Sequence, residues 1–362
     1  MTLMVFVRVG SRYEPVEING ASHFIEHLMF KGTKRRPNTL AISKELDRYG
    51  AEYNAFTGKD LTAYYVKMDA EQTPLAIDLL HDMLTHSLYD SKEIERERGV
   101  IVEEINMYED HPQRHVEDLL EQELFQGNSL GRSIAGPRET IRSVLRESLV
   151  DYRDKYYIPS RMTVVVAGRI HPKTKTLLKE TFGKIPVPTP SRDLPFETFS
   201  APKQLQDPLG FQAKKTEQVQ LSMAFYGAPY GDATLPALSL LASILGGTMS
   251  SRLFIEVRER RGLCYSIHAS HESLEDTGIF GISAGLDKAR LEEAVRVVWH
   301  ELERMKKELV DREELKRAKD HIRGKWMLAF EDSANQADWY GRQLVFEKKM
   351  RTPEERLKKL IV

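Results

Sequence analysis

Valine recurs at every second position near the start of the chain, where Val5, Val7 and Val9 alternate with Phe6 and Arg8, the period of a strand. The period lengthens in the segment from His23 to Met29, where Phe24, Ile25, Leu28 and Met29 share one face. Asn19-Gly20 can start a helix there and Gly32 can stop it. Residues 53–69, YNAFTGKDLTAYYVKMD, read as a polar-patterned strand pair, followed by an amphipathic helix from Glu71 to about His86 and a long helix in LYDSKEIERERGVIVEEI. From Arg161, RMTVVVAGRI reads as a buried strand, and a lysine-rich helix follows from Pro172 to about Phe182. Five prolines between 186 and 202 then mark a linker.

The part after the linker repeats the part before it. YSIHASHESLEDTGIFGISAGLD (265–287) again precedes a helix, KARLEEAVRVVWHELERMKKE, and then LVDREELKRAKDHIRGKW, whose LVDREELKR echoes LYDSKEIER. Strands followed by helices indicate α+β domains. The pattern predicts an α+β protein of two tandem homologous domains, each an antiparallel-rich sheet with helices packed on one side. The expected boundaries are 1–187 for the first domain, 188–208 for the linker and 209–362 for the second.

Composition narrows the chemistry. The 53 Lys and Arg against 54 Asp and Glu leave a formal charge of -1, so no global field draws nucleic acid or an anionic membrane, and partners of neither kind are expected. A hydrophobic fraction of 41% fills real cores and excludes a disordered chain. A single cysteine, Cys264, forms no intrachain disulfide and no thiolate cluster, so any metal must sit on histidine and carboxylate. No uncharged run long enough for a membrane span occurs, and the N-terminus lacks the basic and apolar regions of a signal peptide. A soluble, cytoplasmic protein is expected.

His23-Phe24-Ile25-Glu26-His27 holds the most chemistry. On a helix His23 and His27 lie about 40° apart on one face with Glu26 beside them. Two imidazoles one turn apart can hold a tetrahedral zinc, and the glutamate is placed to take a proton from water. A catalytic zinc needs a third protein ligand. The long helix offers Glu97, Glu103 and Glu104, of which Glu97 and Glu104 return to the same face while Glu103 points aside. Gly99 within that helix predicts close packing against a neighbour. His111 and His115 are also four apart, but Pro112 disturbs their helix, and His268 and His271 lack an adjacent base. Gly246-Gly247-Thr248 lacks the residues of a phosphate loop and reads as a turn. The basic stretch Lys31, Lys34, Arg35 and Arg36 reads as a solvated loop.

Taken together, SRYEP, GASHFIEHLMFKGT, GAEYNAFTGKDLTAYYV, ERERGVIVEEINMYEDHP, GRSIAGPRETI and SSRLFIEVRERRGLCYSI resemble the inverzincin zinc metallopeptidases of the pitrilysin, insulysin and mitochondrial processing peptidase family. The resemblance spans almost the whole chain. It implies His23, His27 and Glu104 as ligands of one Zn²⁺ per chain, Glu26 as general base and Glu97 as a supporting carboxylate. Asn54, Ala55 and Phe56 match the edge strand to which a substrate peptide adds as a further strand. Arg258 and Tyr265 match a pair that donates to the substrate carbonyl, where an oxyanion develops.

The implied function is a zinc-dependent endopeptidase acting on extended peptides or unfolded polypeptide in a chamber between two subunits. Because this chain carries both the zinc set and the Arg/Tyr pair, a homodimer is expected. The alternatives are a non-catalytic scaffold or core-like subunit and a zinc subunit active only with a different partner chain; metal analysis, then sizing and a peptide assay with and without chelator, separate the three. The family pattern also has a strand before this chain's first residue and residues after Val362, and the missing strand is expected to expose a sheet edge.

Overall fold

The computed structural model describes residues 1–188, 195–203, 205 and 208–361. Its first part runs β1 (Thr2–Val7), α1 (Ala21–Met29), α2 (Thr39–Asp47), β2 (Glu52–Thr57), β3 (Thr62–Lys67), α3 (Thr73–His86), α4 (Ser91–Asp110), α5 (Pro112–Leu124), α6 (Arg138–Ser143), α7 (Arg146–Tyr156), β4 (Met162–Ala167) and α8 (Thr174–Glu180). The second runs β5 (Gln218–Tyr226), α9 (Leu235–Gly246), a π-helical turn (Phe254–Glu259), β6 (Cys264–Ser273), β7 (Gly278–Asp287), α10 (Leu291–Lys307), α11 (Arg312–Ala329), α12 (Ser333–Arg342), a second π-helical turn (Gln343–Glu347) and α13 (Pro353–Ile361). The mixture of helices and antiparallel sheets is the α+β class that the pattern predicts.

The residues form two compact units, and each holds a segment from the other half of the sequence. Unit 1 takes 1–107, 128–197 and 330–350; unit 2 takes 108–127, 198–329 and 351–362. In unit 1 the sheet order is β2-β3-β1-β4, all antiparallel, with Val5 opposite both Tyr64 and Val164. Leu3, Val5 and Val7 pack with Phe24, Ile25 and Leu28 of α1, Ile77 and Leu80 of α3 and Leu149 of α7. This is the helical layer that the sequence implies.

The other face of that sheet is also covered. Met4 and Phe6 pack with Ala337 of α12 and Val345, which follow some three hundred residues later. Thr2 shares a hydrogen bond with Ser333, and Lys67 pairs with Asp332 at 2.9 Å. A Cβ on Gly341 would stand 1.9 Å from Phe6 Cε2, so only glycine lets α12 approach. Because both faces are covered, all six residues of β1 are buried.

Unit 2 has the sheet order β5-β7-β6, which reproduces β1-β3-β2. Its core joins Ala242 and Leu245 of α9, Ile267 of β6, Ile282 and Leu286 of β7, and Ala294 and Val298 of α10. The repeat extends to backbone detail: Gly50 and Gly262, just before β2 and β6, are left-handed with φ of 61° and 58°. Glu117 of α5 accepts hydrogen bonds from Ser222 and Ser283 on the sheet of this unit.

Residues 189–194, 204, 206 and 207 of the expected linker lie outside the described residues. Two of its described residues are held within their units, Phe196 stacking edge-on against Tyr13 and Phe199 against Phe125. One expectation is corrected: Gly99 marks no close packing, since it is exposed on α4 and a Cβ there would meet nothing within 4 Å.

Candidate metal centre

The helix that carries the histidines is held at its N-terminal end. Gly20, at φ 100°, opens α1, and a Cβ on it would stand 2.6 Å from Ala135 O. The Gly136 backbone, at φ 76°, lies against Asn19, so the GRSIAGPRE segment braces the start of α1. Oε2 of Glu14 accepts from Gly20 N at 2.7 Å and Asn19 Nδ2 at 2.8 Å, and Oε1 accepts from Ser22 N at 2.7 Å. A carboxyl here satisfies backbone donors at the positive end of the helix. Burial pushes Glu14 up to about 7 against the pull of those donors.

On this helix His23 and His27 stack edge to face with ring centroids 4.7 Å apart. Glu104 reaches across from α4, its Oε2 standing 3.5 Å from His23 Nε2 and 3.4 Å from His27 Nε2. The neighbouring Glu103 is exposed and turns instead to Asn106, so Glu104 is the carboxylate that meets the histidine pair. Ligand atoms about 2.0–2.1 Å from a tetrahedral zinc stand about 3.3–3.4 Å from one another, close to both separations and longer than an ordinary hydrogen bond. His23 Nδ1 is buried with no hydrogen-bond partner among the described residues. The donor set of two imidazoles and one carboxylate fits zinc.

The surrounding groups fix the set. Glu97, only 1% exposed, places Oε2 at 3.1 Å from His27 Nδ1, the carboxylate-histidine arrangement that turns the other ring nitrogen toward a metal. Its Oε1 pairs with Lys31 Nζ at 2.7 Å. Burial would raise the Glu97 carboxyl, but His27 and Lys31 hold it below its ordinary value. Burial does raise the carboxyl of Glu26, in spite of a hydrogen bond from Thr57 Oγ1 at 2.5 Å. Thr57, Lys31 and Glu14 are contacts that reading by motif missed. Only Lys31 carried a local signal, lying four residues after His27 at one helical turn.

Asn54, Ala55 and Phe56 lie on β2, the edge strand of the unit 1 sheet. Arg258 and Tyr265 lie in unit 2, where the Arg258 guanidinium stands 4.7 Å from the Phe254 ring centroid and 5.8 Å from that of Tyr265. Both stand on irregular backbone, Arg258 in the π-helical turn and Tyr265 in the bulge between Cys264 and Ser266. Such irregularities re-aim side chains and cluster at functional sites, and Tyr265 is 75% exposed.

The basic stretch is only in part a solvated loop. Lys31 binds Glu97, and Arg36, 6% exposed, is neutralised by Asp78, Asp82 and Glu45, with Arg35 also on Asp78. Lys34 and Arg35 are the exposed members of the four, Arg35 in spite of its ion pair. The acidic face of α3 draws the arginines in. His111 falls at the break between α4 and α5, and His271 Nε2 meets Ser239 Oγ at 2.8 Å. Among the described residues, His23, His27 and Glu104 form the one group with metal-binding geometry.

The repeat shows what unit 2 lacks. Placing Gly247-Thr248 on Gly32-Thr33 sets Leu238, Leu241 and Ala242 of α9 where α1 has His23, Glu26 and His27. Placing LVDREELKR on LYDSKEIER sets Ala318 and Lys325 opposite Glu97 and Glu104. Apolar side chains have replaced the whole α1 set, and Ala242 is part of the core.

Comparison with known proteins also separates a part that holds the histidine pair from a part described as inactive, with the boundary near residue 140. Residues 1–138 match the family Insulinase (Peptidase family M16), and residues 143–322 match Peptidase M16 inactive domain. The chain is 36% identical over 356 residues to an uncharacterized zinc protease of Bacillus subtilis, covering 98% of this chain and 85% of that protein. It is 35% identical over 335 residues to an uncharacterized zinc protease of Streptomyces coelicolor, covering 92% and 73%. A protease from Helicobacter pylori shares the fold with a TM-score of 0.90 at 22% identity, covering 99% of this chain and 87% of that one. Among the described residues, no helix is long and apolar enough to cross a membrane. Two matched family domains and relatives above 30% identity along nearly the full chain lead to one conclusion: the chain belongs to peptidase family M16.

Proposed function

We propose that this protein is a zinc metalloendopeptidase that hydrolyses extended peptides or unfolded polypeptide segments. One observation carries the reading: a histidine pair and a carboxylate from a distant helix converge with tetrahedral spacing, beside a glutamate that is not needed as a ligand. His23, His27 and Glu104 would hold one zinc per chain. The chemistry zinc supplies when so held is Lewis acidity, which makes water a nucleophile at neutral pH. Glu26, its carboxyl raised by burial, accepts the proton of the attacking water and delivers it to the leaving amine.

A substrate in extended form adds along β2, where Asn54, Ala55 and Phe56 offer the free side of an edge strand. Main-chain pairing of that kind tolerates many sequences. Arg258 and Tyr265 stabilise the oxyanion. The reaction takes place in a chamber between two copies of the chain, since one gene product carries both sets of residues.

The test is the variant Glu26→Gln. It should retain about one zinc per chain by metal analysis and lose about 100-fold or more of the hydrolysis of a quenched peptide. Undiminished hydrolysis removes Glu26 from this role, and wild-type protein without zinc removes the metal reading. Light scattering of the purified protein measures whether it is a dimer.

A further inference from the structure

Lys31 lies just past the end of α1, where its backbone N–H still donates to Leu28 O at 3.1 Å. The chain then turns sharply through Gly32, whose φ of 132° and close approach to Pro37 O admit no side chain. This turn leaves Lys31 Nζ at 2.7 Å from Glu97 Oε1. The other oxygen of the same carboxylate stands 3.1 Å from His27 Nδ1. A carboxylate gripped at both oxygens by different partners cannot rotate without breaking a contact. A buried carboxylate facing only an imidazole would also lack a full counter-charge, and burial of an incompletely paired charge is costly.

We infer that Lys31 is a positioning residue of the metal centre: it fixes and neutralises Glu97, so that Glu97 holds the His27 ring with Nε2 turned toward the metal position. The inference rests on the zinc-binding reading above. Its neighbours do not share the task, since Arg35 and Arg36 are engaged by the carboxylates of α3 and Lys34 is exposed. The repeat points the same way. In unit 2, where the histidines are replaced, the positions of Lys31 and Glu97 hold Gly246 and Ala318, so the lysine and its carboxylate are lost together with the metal set.

The experiment measures zinc dissociation constants by competition with a chromogenic chelator for wild type, Lys31→Met, Lys31→Arg and Lys34→Met. Thermal unfolding in chelator checks that each is folded. Loss of an outer partner of a metal-binding histidine typically weakens binding about 10- to 100-fold, which is the loss expected for Lys31→Met. Lys34→Met should stay within about twofold of wild type, and Lys31→Arg, which keeps the cation, should lie well above Lys31→Met in affinity. Zinc binding by Lys31→Met within about twofold of wild type overturns the inference. So does an equal loss in the arginine and methionine variants, the arginine variant standing as the readout if the methionine variant does not fold. Wild-type protein that binds no zinc instead overturns the metal reading beneath it.

Discussion

Thr57 Oγ1 donates to Glu26 Oε2 across 2.5 Å, tying the last residue of β2 to the carboxyl in the middle of α1. The strand that would receive substrate and the group that would move the proton are therefore linked by one hydroxyl. Thr57→Val keeps the shape and removes the donor. Turnover of a quenched peptide should fall about 10- to 100-fold with little change in KM, because misplacement of a reacting group costs rate more than binding. Zinc content should be unchanged; a variant with wild-type turnover would show that Glu26 is positioned by other means.

Adjacent glutamates on α4 should behave as opposites. Glu104→Gln removes the carboxylate that meets both imidazoles, and metal analysis after dialysis should show zinc largely lost. Glu103→Gln changes an exposed side chain that reaches only Asn106, and zinc should be retained. Equal retention by the two variants would remove Glu104 from the ligand set.

Zinc binding should release a proton at neutral pH. Burial would lower His27, yet Glu104 and Glu97 carry it up to about 9, while burial and then the neighbouring His27 lower His23 to about 4. Below about pH 9 the metal must displace the proton on His27, so affinity rises with pH up to that value, by about tenfold per unit. The dependence steepens below about pH 4, where His23 also gains a proton. Calorimetry at pH 7 in buffers of different ionisation enthalpy should report about one proton released per zinc. A value of zero would show His27 already neutral.

Two glycine substitutions should differ in sign. Gly341→Ala drives a methyl into Phe6 and should destabilise the fold by about 1–3 kcal/mol or more. Gly99→Ala meets nothing and should stabilise α4 by about 0.5–1 kcal/mol. Denaturant midpoints of the metal-free proteins measure both.

The parts of the site that a single helix determines were legible in the amino-acid sequence. His23, Glu26 and His27 share α1, whose period sets their relative directions whatever surrounds it. Glu104 required one more step, since the face argument chose it over Glu103 without showing that α4 lies opposite α1. Lys31, Thr57 and Glu14 stayed hidden because their importance depends on what the fold brings within reach of them. Gly99 was misread for the same reason: a glycine in a helix is ambiguous until its neighbours are known. The repeat was legible, since strands and helices of similar pattern recur in the same order. The cover that α12 gives β1 was not, because an amphipathic helix does not state which surface it will join.

That cover has a bearing on biogenesis. Ala337 and Gly341 leave the ribosome more than three hundred residues after Met4 and Phe6. Throughout that interval the nascent sheet presents an oily underside to solvent or to chaperones. The unit that holds the histidine pair is thus completed only after most of unit 2 has been synthesised.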